Sequence, residues 1–379
     1  MLAIGRAGYF EKENNLKPDS LKNNSHTLEK KLLFQEGDYS IWRHDGIPDE
    51  ALKFLDSIAW GNDGAVYEHK NTEEHIHLLY QPALVAIHDS TKIQGTAVFC
   101  NTPVTVGKQQ YNCYYIRYFA SSKEIRGKGV MKKYAVKVME VVRADEKKKT
   151  VFFACIEKGN RASYKTVENA GYKNIGVIKT NGFSRFFPKS KKNIEQVNTD
   201  TLRNEILPLL KTQYQEHALV QFNSIFLQNN YFIIRENGEI VAGCQFHRVH
   251  WVINKMSGFM GKIIMNIVPL IPLLNKLFNP RRFEFLAFEG IYSKPGFEQR
   301  LMELFEGLLA REKLKSAMFW LGETCPLRKR ILEKGKTGLL HSFIKDSDVF
   351  ILASFHDLSE AEISDLKPRP LFASAFDYI

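Results

Sequence analysis

From Tyr111 to Val142 the chain reads as three consecutive pieces: an apolar, aromatic strand to Ala120, a basic glycine loop, and an amphipathic helix. The loop is Ile125-Arg126-Gly127-Lys128-Gly129-Val130-Met131. Met131, Tyr134, Ala135, Val138, Val141 and Val142 share one helix face, and Lys132, Lys133, Lys137 and Glu140 share the other. This order constrains the fold and the ligand together. The first N–H groups of a helix have no intrahelical partner, the macrodipole favours negative charge there, and glycine lets an anion approach the main chain. Two common phosphate loops are excluded. A Walker loop needs Lys-Ser/Thr after its last glycine, whereas Gly129 is followed by Val130; a dinucleotide fingerprint needs a third glycine where Lys132 stands.

At 379 residues the chain is long enough for two domains, each with its own core. Its 44% apolar and 25% charged residues are those of a soluble globular protein. A net charge of +11 favours anionic partners without choosing among cofactor, nucleic acid and membrane. Part of it lies in 123–149, with ten basic and four acidic residues, either a solvated helix face or a steering surface for phosphates. The five cysteines, Cys100, Cys113, Cys155, Cys244 and Cys325, form no CxxC pair and read as reduced, buried thiols. Residues 1–14 contain no continuous apolar run of the secretory type, so the expected location is cytoplasmic.

In chain order, residues 1–36 are polar and rich in Lys and Asn, and predict a loose arm. A strand over 39–43 precedes a helix over 51–58, opened by Pro48 and Asp49, and a second helix over 72–80. Residues 83–88 and 93–101 form a hairpin around Asp89-Ser90-Thr91-Lys92. After the central strand, loop and helix, the apolar run 150–156 reads as a buried strand. Asn160 caps a helix that ends at Ala170, with Gly171 beyond it, and strands over 172–179 and 183–187 follow.

The loop resembles the acyl-CoA pyrophosphate loop of the GNAT family of N-acetyltransferases, Arg/Gln-x-x-Gly-x-Gly/Ala: Arg126 and Gly129 match, and Met131 stands where Gly/Ala is usual. The segment 160–172, with Asn160, Ser163 and Gly171-Tyr172, is similar to the family's second signature, and the element order over about 38–188 is similar to the family topology. The resemblance implies an α+β fold: a mixed, mainly antiparallel central sheet flanked by helices. It implies that acetyl-CoA, or another acyl-CoA, is held by Arg126, Gly127, Lys128, Gly129, Val130 and Met131, with Asn160 on the pantetheine arm. It implies a bulge near Ala120 or Ser121 whose N–H meets the thioester oxygen, and a splayed gap between the strands 111–120 and 151–156 that admits pantetheine. Near the sulfur it places Ser163, for which helix packing is the alternative, with Tyr164 a further candidate; Val167 stands where many relatives carry a proton-donating Tyr. Glu157 is placed to act as a base directly or through a water, or to be a solvated charge before the cap. His88 and Glu124 are weaker options. No metal is implied.

Residues 189–200 are polar and basic at their start, and read as a linker. Beyond them the pattern repeats. Helices over 202–210 and 218–227 precede a hairpin, 231–235 and 239–246, around Glu236-Asn237-Gly238. Then come a long strand over 282–291, Ser293-Lys294-Pro295-Gly296, a helix over 297–311, a strand over 317–321, a helix over 326–333, and strands over 339–344 and 349–355. We therefore expect two tandem GNAT-like domains, 37–188 and a degenerate copy at 201–379. The second loop has Gly296 but no Arg-x-x-Gly-x-Gly, and should not hold CoA.

The second copy carries an apolar insertion at 251–278, interrupted by Lys262, Asn266, Pro269, Pro272 and Asn275, and therefore not a membrane span. Packing against the core or a second subunit, as in a homodimer, is the first reading. An acyl or acceptor channel is the second, and peripheral membrane contact the third. By resemblance the chain is a CoA-dependent N-acyltransferase, most simply an N-acetyltransferase, acting on a small-molecule or peptide amine. The alternative is a non-catalytic module binding acyl-CoA, lipid or protein. No motif reads bases, so no nucleic-acid partner is expected.

Overall fold

The computed structural model of the protein describes residues 29–61, 64–344 and 347–379. Its first half runs β1 (Lys30–Glu36), β2 (Tyr39–Asp45), α1 (Asp49–Asp56), β3 (Trp60–Gly61), β4 (Ala65–His69), α2 (Thr72–His77), β5 (Pro82–His88), β6 (Ile93–Asn101), β7 (Val104–Val106), β8 (Gln109–Ser121), α3 (Val130–Asp145), β9 (Thr150–Glu157), α4 (Arg161–Asn169) and β10 (Lys173–Ser184). The second half runs β11 (Glu195–Gln196), α5 (Thr199–Thr201), α6 (Leu207–Gln213), β12 (Tyr231–Glu236), β13 (Glu239–Met256), α7 (Gly258–Asn266), α8 (Pro272–Asn275), β14 (Phe283–Ser293), α9 (Glu298–Glu312), β15 (Ser316–Gly322), α10 (Pro326–Lys334), α11 (Leu339–Ile344), β16 (Asp348–His356) and α12 (Glu360–Leu366). The architecture is α+β, a mostly antiparallel sheet flanked by helices.

Local chemistry explains the boundaries. The Asp89 carboxylate accepts the Thr91 and Lys92 N–H groups at 2.8 and 2.9 Å and so closes the β5–β6 turn. Asn160 Oδ1 accepts the Ser163 N–H at 3.1 Å and starts α4. Gly171, at φ +87°, ends it.

The two halves share one sheet, whose main path is β1-β2-β5-β6-β8-β9-β16-β10-β15-β14-β13-β12-β11. The late strand β16 lies between β9 and β10, antiparallel to both, and β10 in turn pairs with β15. Each half has therefore passed its last long strand into the other. A shared core follows from this exchange: Cys113, Val151 and Ile178 of the first half pack in one cluster with Phe285, Trp320 and Ile351 of the second. A second cluster lies between the sheet and α3 and α4, a third lies beneath α1 and α2, and a fourth fills the second half.

Several local expectations are corrected. Of the expected arm, residues 1–28 lie outside the described residues, and 30–36 form a strand paired to β2. The strands expected at 172–179 and 183–187 are one strand, β10, with Asn181 and Gly182 inside the ladder opposite Phe319 and Met318. Gly182 is required there because a Cβ would lie 2.8 Å from the main-chain nitrogen of His341. Residues 339–344 are a helix packed on β10, not a strand. The helix expected over 218–227 is reduced to a 3-10 turn at Asn223–Phe226.

Candidate active site

The glycine loop joins β8 to α3. Gly127 and Gly129 take φ +78° and +77°, and a Cβ at either would meet nothing within 4 Å. Left-handed backbone, not crowding, requires glycine at both. Gly129 is the N-cap of a 16-residue helix, with no capping side chain and no acidic residue in its first turn. Arg126 braces the loop by donating from Nη2 to the Ser121 carbonyl at 3.2 Å. The positive end of α3 thus faces open space with Arg126 and Lys128 exposed beside it, which suits a diphosphate.

The second half treats the same position differently. Gly296 has φ +91°, but its N–H donates to Glu298 Oε1 at 3.2 Å, and that carboxylate is buried under Arg330 at 2.8 Å. Burial pushes the Glu298 pKa up, yet the backbone N–H bonds and Arg330 outweigh it, and the group is held below its ordinary pKa. The helix end that would attract a phosphate is already neutralised by its own chain.

At β8 and β9 the sheet opens. The parallel ladder runs from Asn112↔Thr150 to Ile116↔Ala154, and no pairing continues beyond it, although β8 extends to Ser121 and β9 to Glu157. Both the loop and Asn160 lie just past these two strand ends. The bulge falls earlier than the sequence suggested. Thr96 faces Ala120 while Val98 faces Arg117, so the extra residue lies at Tyr118–Phe119, not at Ala120 or Ser121. Tyr118, at φ +50°, marks it. Beside the bulge an apolar cavity of about 50 Å3 lies between the sheet and α3 and α4, lined by Ile87, Phe99, Phe119, Met131, Tyr134 and Val138, among others. Met131 turns away from the open loop face onto β6, where a Cβ on Gly95 would lie 2.6 Å from its sulfur.

The remaining candidates separate into those near the opening and those elsewhere. Glu157, at the end of β9, is not a free surface charge: Tyr67 donates its hydroxyl to Oε1 at 2.5 Å. Burial, then the charge of Glu157, raises the Tyr67 phenol well above its ordinary pKa, so the proton stays on Tyr67. Tyr67 also stacks on Trp251 and His69, at ring-centre distances of 4.8 and 5.4 Å. Ser163 sits in the first turn of α4 through the Asn160 cap, and Tyr164 packs edge-on against Phe350 at 5.7 Å. Val167 is buried in the helix–sheet core. His88 lies near Glu50 and His44 on the far side of β5, and Glu124 is held by Lys92 at 2.9 Å, which lowers its pKa to about 2. Of the two, Glu124 leads into the glycine loop just past β8, and its carboxylate is tied there to Lys92 of the β5–β6 turn. Among the described residues no group of three or more His, Cys, Asp or Glu is placed to hold a metal.

A buried polar cluster next to the opening was not foreseen. Arg117 follows Ile116, the last residue of β8 paired to β9, and donates to the carbonyls of Phe376 and Ile379, both at 3.2 Å. Tyr115 donates to the Asp377 carbonyl at 3.0 Å. From the second half, Glu289 of β14 accepts from Ser224 and Ser374 hydroxyls and from the Phe376 N–H, at 3.0, 3.1 and 2.9 Å. The segment 374–379 is thereby clasped by both halves, with the Phe376 ring between His75, His247 and Arg117. Burial pushes the carboxyls of Glu289 and Asp377 up to about 7, against the hydrogen bonds and Arg117. It lowers His75 to about 4 and His247 to about 3, so both imidazoles are neutral near pH 7. Sequence pattern gives little sign of this cluster, because Arg117, Glu289 and Asp377 are isolated polar residues in apolar runs.

The loop, the opening and the Asn160 cap agree with the family comparison: residues 52–172 match the family model described as Acetyltransferase (GNAT) family. This segment is a GNAT domain. No curated protein sequence matches the chain significantly. Among solved structures, Saccharomyces cerevisiae N-myristoyltransferase with bound myristoyl-CoA shares the fold at TM-score 0.59, with 10% identity and 92% of each chain covered. A second structure of that enzyme, with myristoyl-CoA and inhibitors, gives TM-score 0.57 at 10% identity, covering 90% of this chain and 87% of the other. A GCN5-related N-acetyltransferase from Anabaena variabilis aligns at TM-score 0.44 and 11% identity, covering 83% of this chain and 72% of that one. The likeness to the yeast enzyme spans nearly the whole chain, so the GNAT domain is followed by a second unit of GNAT-like fold.

Proposed function

We propose that this protein is an N-acyltransferase that moves an acyl group from CoA to a primary amine by direct attack in a ternary complex. The observation that carries this reading is the parallel β8–β9 ladder that stops at Ile116↔Ala154, beneath an uncapped glycine loop. Pantetheine adds to the open strand edge, and the diphosphate binds the N–H groups of 126–131. The amine nitrogen attacks the thioester carbonyl carbon, a main-chain N–H at the Tyr118–Phe119 bulge or at Ala120 or Ser121 stabilises the oxyanion, and the C–S bond breaks. Glu157, paired with Tyr67, takes the amine proton, and Ser163 or Tyr164 returns a proton to the departing thiolate. The two units are assigned to 37–188 and 201–379, the second with its loop closed by Glu298.

The apolar cavity at Phe119 and Met131 supports an acyl group carrying more carbons than acetyl. N-myristoyltransferase from Saccharomyces cerevisiae, one of the structural neighbours, is solved with such a long-chain donor. Release of free thiol from acyl-CoAs of increasing chain length, with small amines and N-terminal peptides as acceptors, tests the proposal. Glu157→Gln should lower kcat about 100-fold or more with KM for acyl-CoA little changed. No thiol release with any acceptor, alongside intact acyl-CoA binding, would favour the second reading, a non-catalytic acyl-CoA-binding module. Val167, standing where many relatives carry a hydroxyl, favours that reading.

A further inference from the structure

Between β13 and β14 the chain makes a two-faced helical excursion. Its inner face is settled in the core: Ile264, Val268 and Phe278 are buried in the cluster shared by both halves, and Leu277 is buried beside Phe278 in the chain. Its outer face is not. Phe259 and Leu270 are each 78% exposed, and Ile267, Ile271 and Leu273 are exposed between them. Half of the large apolar side chains exposed in the described structure lie in these fifteen positions. The core already has what it needs from this segment, so the outer residues are not an overflow of core packing.

The charge pattern is one-sided as well. From 240 to 283 there is no Asp or Glu, while Arg248, Lys255, Lys262, Lys276, Arg281 and Arg282 are all present and exposed. Arg248 and Arg282 are engaged by Glu284. Among the described residues, no carboxylate pairs with Lys255, Lys262, Lys276 or Arg281. Next to Leu277, Ser316 is bonded to its carbonyl, and the neighbouring Lys315 lies 5.5 Å over Phe187, itself 75% exposed. No described helix is long and apolar enough to cross a membrane, and the two apolar segments here are bent by 106°.

We propose that this face docks on an anionic lipid surface, with Phe259, Leu270, Ile271 and Leu273 entering the headgroup boundary and Lys255, Lys262, Lys276 and Arg281 meeting lipid phosphates. Apolar tips with unpaired cations around them are the pattern of an interfacial helix that lies on a bilayer without spanning it. Water-exposed apolar side chains gain by transfer to acyl chains, and the cations gain only where the surface is negative. The proposal is independent of the acyl-transfer reading.

Vesicle sedimentation tests it with the full chain. Vesicles of phosphatidylcholine mixed with phosphatidylserine should retain the protein, and pure phosphatidylcholine should retain much less. The pair Phe259→Ser and Leu270→Ser should weaken binding about tenfold or more. Lys262→Glu with Lys276→Glu should weaken it about fivefold per charge removed, and salt should mimic that loss. Because these side chains are exposed, circular dichroism of the variants should be unchanged. Equal retention on both vesicle types, or none on either, overturns the proposal. So does a concentration-dependent dimer in light scattering that the Phe259→Ser, Leu270→Ser pair abolishes, which would make the face a contact between two copies.

Discussion

Glu289→Gln isolates the energetics of the buried clasp. The folded carboxyl has a pKa of about 7, against an ordinary 4.5. Between these values the native state holds a proton that the unfolded chain has released. The contribution of Glu289 to stability is therefore complete below about pH 4.5, falls as pH rises, and is lost by about pH 7. At about 1.4 kcal/mol per pH unit, the window is worth about 3 kcal/mol. The histidines act in the opposite direction. His69, His75, His217 and His247 are all lowered by burial, to values between about 3 and about 4, so their contribution grows as pH rises toward 6.5. The wild-type curve is the sum of both trends, and the difference between variant and wild type is the informative quantity. Glutamine is a mild replacement here. Its oxygen can take the place of Oε2 beside Phe376 N–H and Ser374, leaving the amide nitrogen toward Ser224 Oγ, a hydroxyl able to accept. Denaturant unfolding from pH 5 to 8 should show Glu289→Gln gaining about 3 kcal/mol relative to wild type as pH rises, with most of the gain complete by pH 7.5. A pH-independent difference would refute the account of a protonated, buried Glu289.

Two other consequences of the architecture are open to direct test. Arg117→Ala leaves the Phe376 and Ile379 carbonyls and Asp377 without their buried donor; it should cost about 3–5 kcal/mol in denaturant unfolding, with amide exchange rising first at 374–379. A fragment ending at residue 188 lacks both neighbours of β10 and the outer neighbour of β9, so it should lack the dispersed amide spectrum of a folded domain.

How much of this was legible in the sequence follows from the range of each interaction. The glycine loop, the Asn160 cap and the hairpin turns are written in residues a few positions apart, and each was found where the sequence placed it. The recurrence of strand, loop and helix after residue 200 was readable for the same reason. Strand exchange has no local sign: nothing within β10 or β16 says which half each will pair with. Residues 339–344, Leu-Leu-His-Ser-Phe-Ile, are a short apolar run that periodicity cannot assign, and tertiary packing on β10 makes it a helix. The bulge was misplaced by about two residues because register is fixed by the partner strand, through Thr96 and Val98, not by β8 itself. The clasp joins Arg117, Glu289 and Asp377 from three distant segments, and only the folded chain brings them together. The Glu157–Tyr67 contact was missed because β4 itself was not read from the sequence.

The central claim is that the loop at 126–131 holds the diphosphate of an acyl-CoA. Calorimetric titration of acetyl-CoA and of myristoyl-CoA into wild type and Gly129→Asp tests it most directly. At φ +77° and at the positive end of α3, an aspartate strains the turn and puts a carboxylate where the diphosphate binds, as Glu298 does in the second half. The account predicts that wild type binds acyl-CoA and that Gly129→Asp weakens it about 100-fold or more. Equal affinity in the two proteins, or no binding of either ligand to wild type, would contradict it.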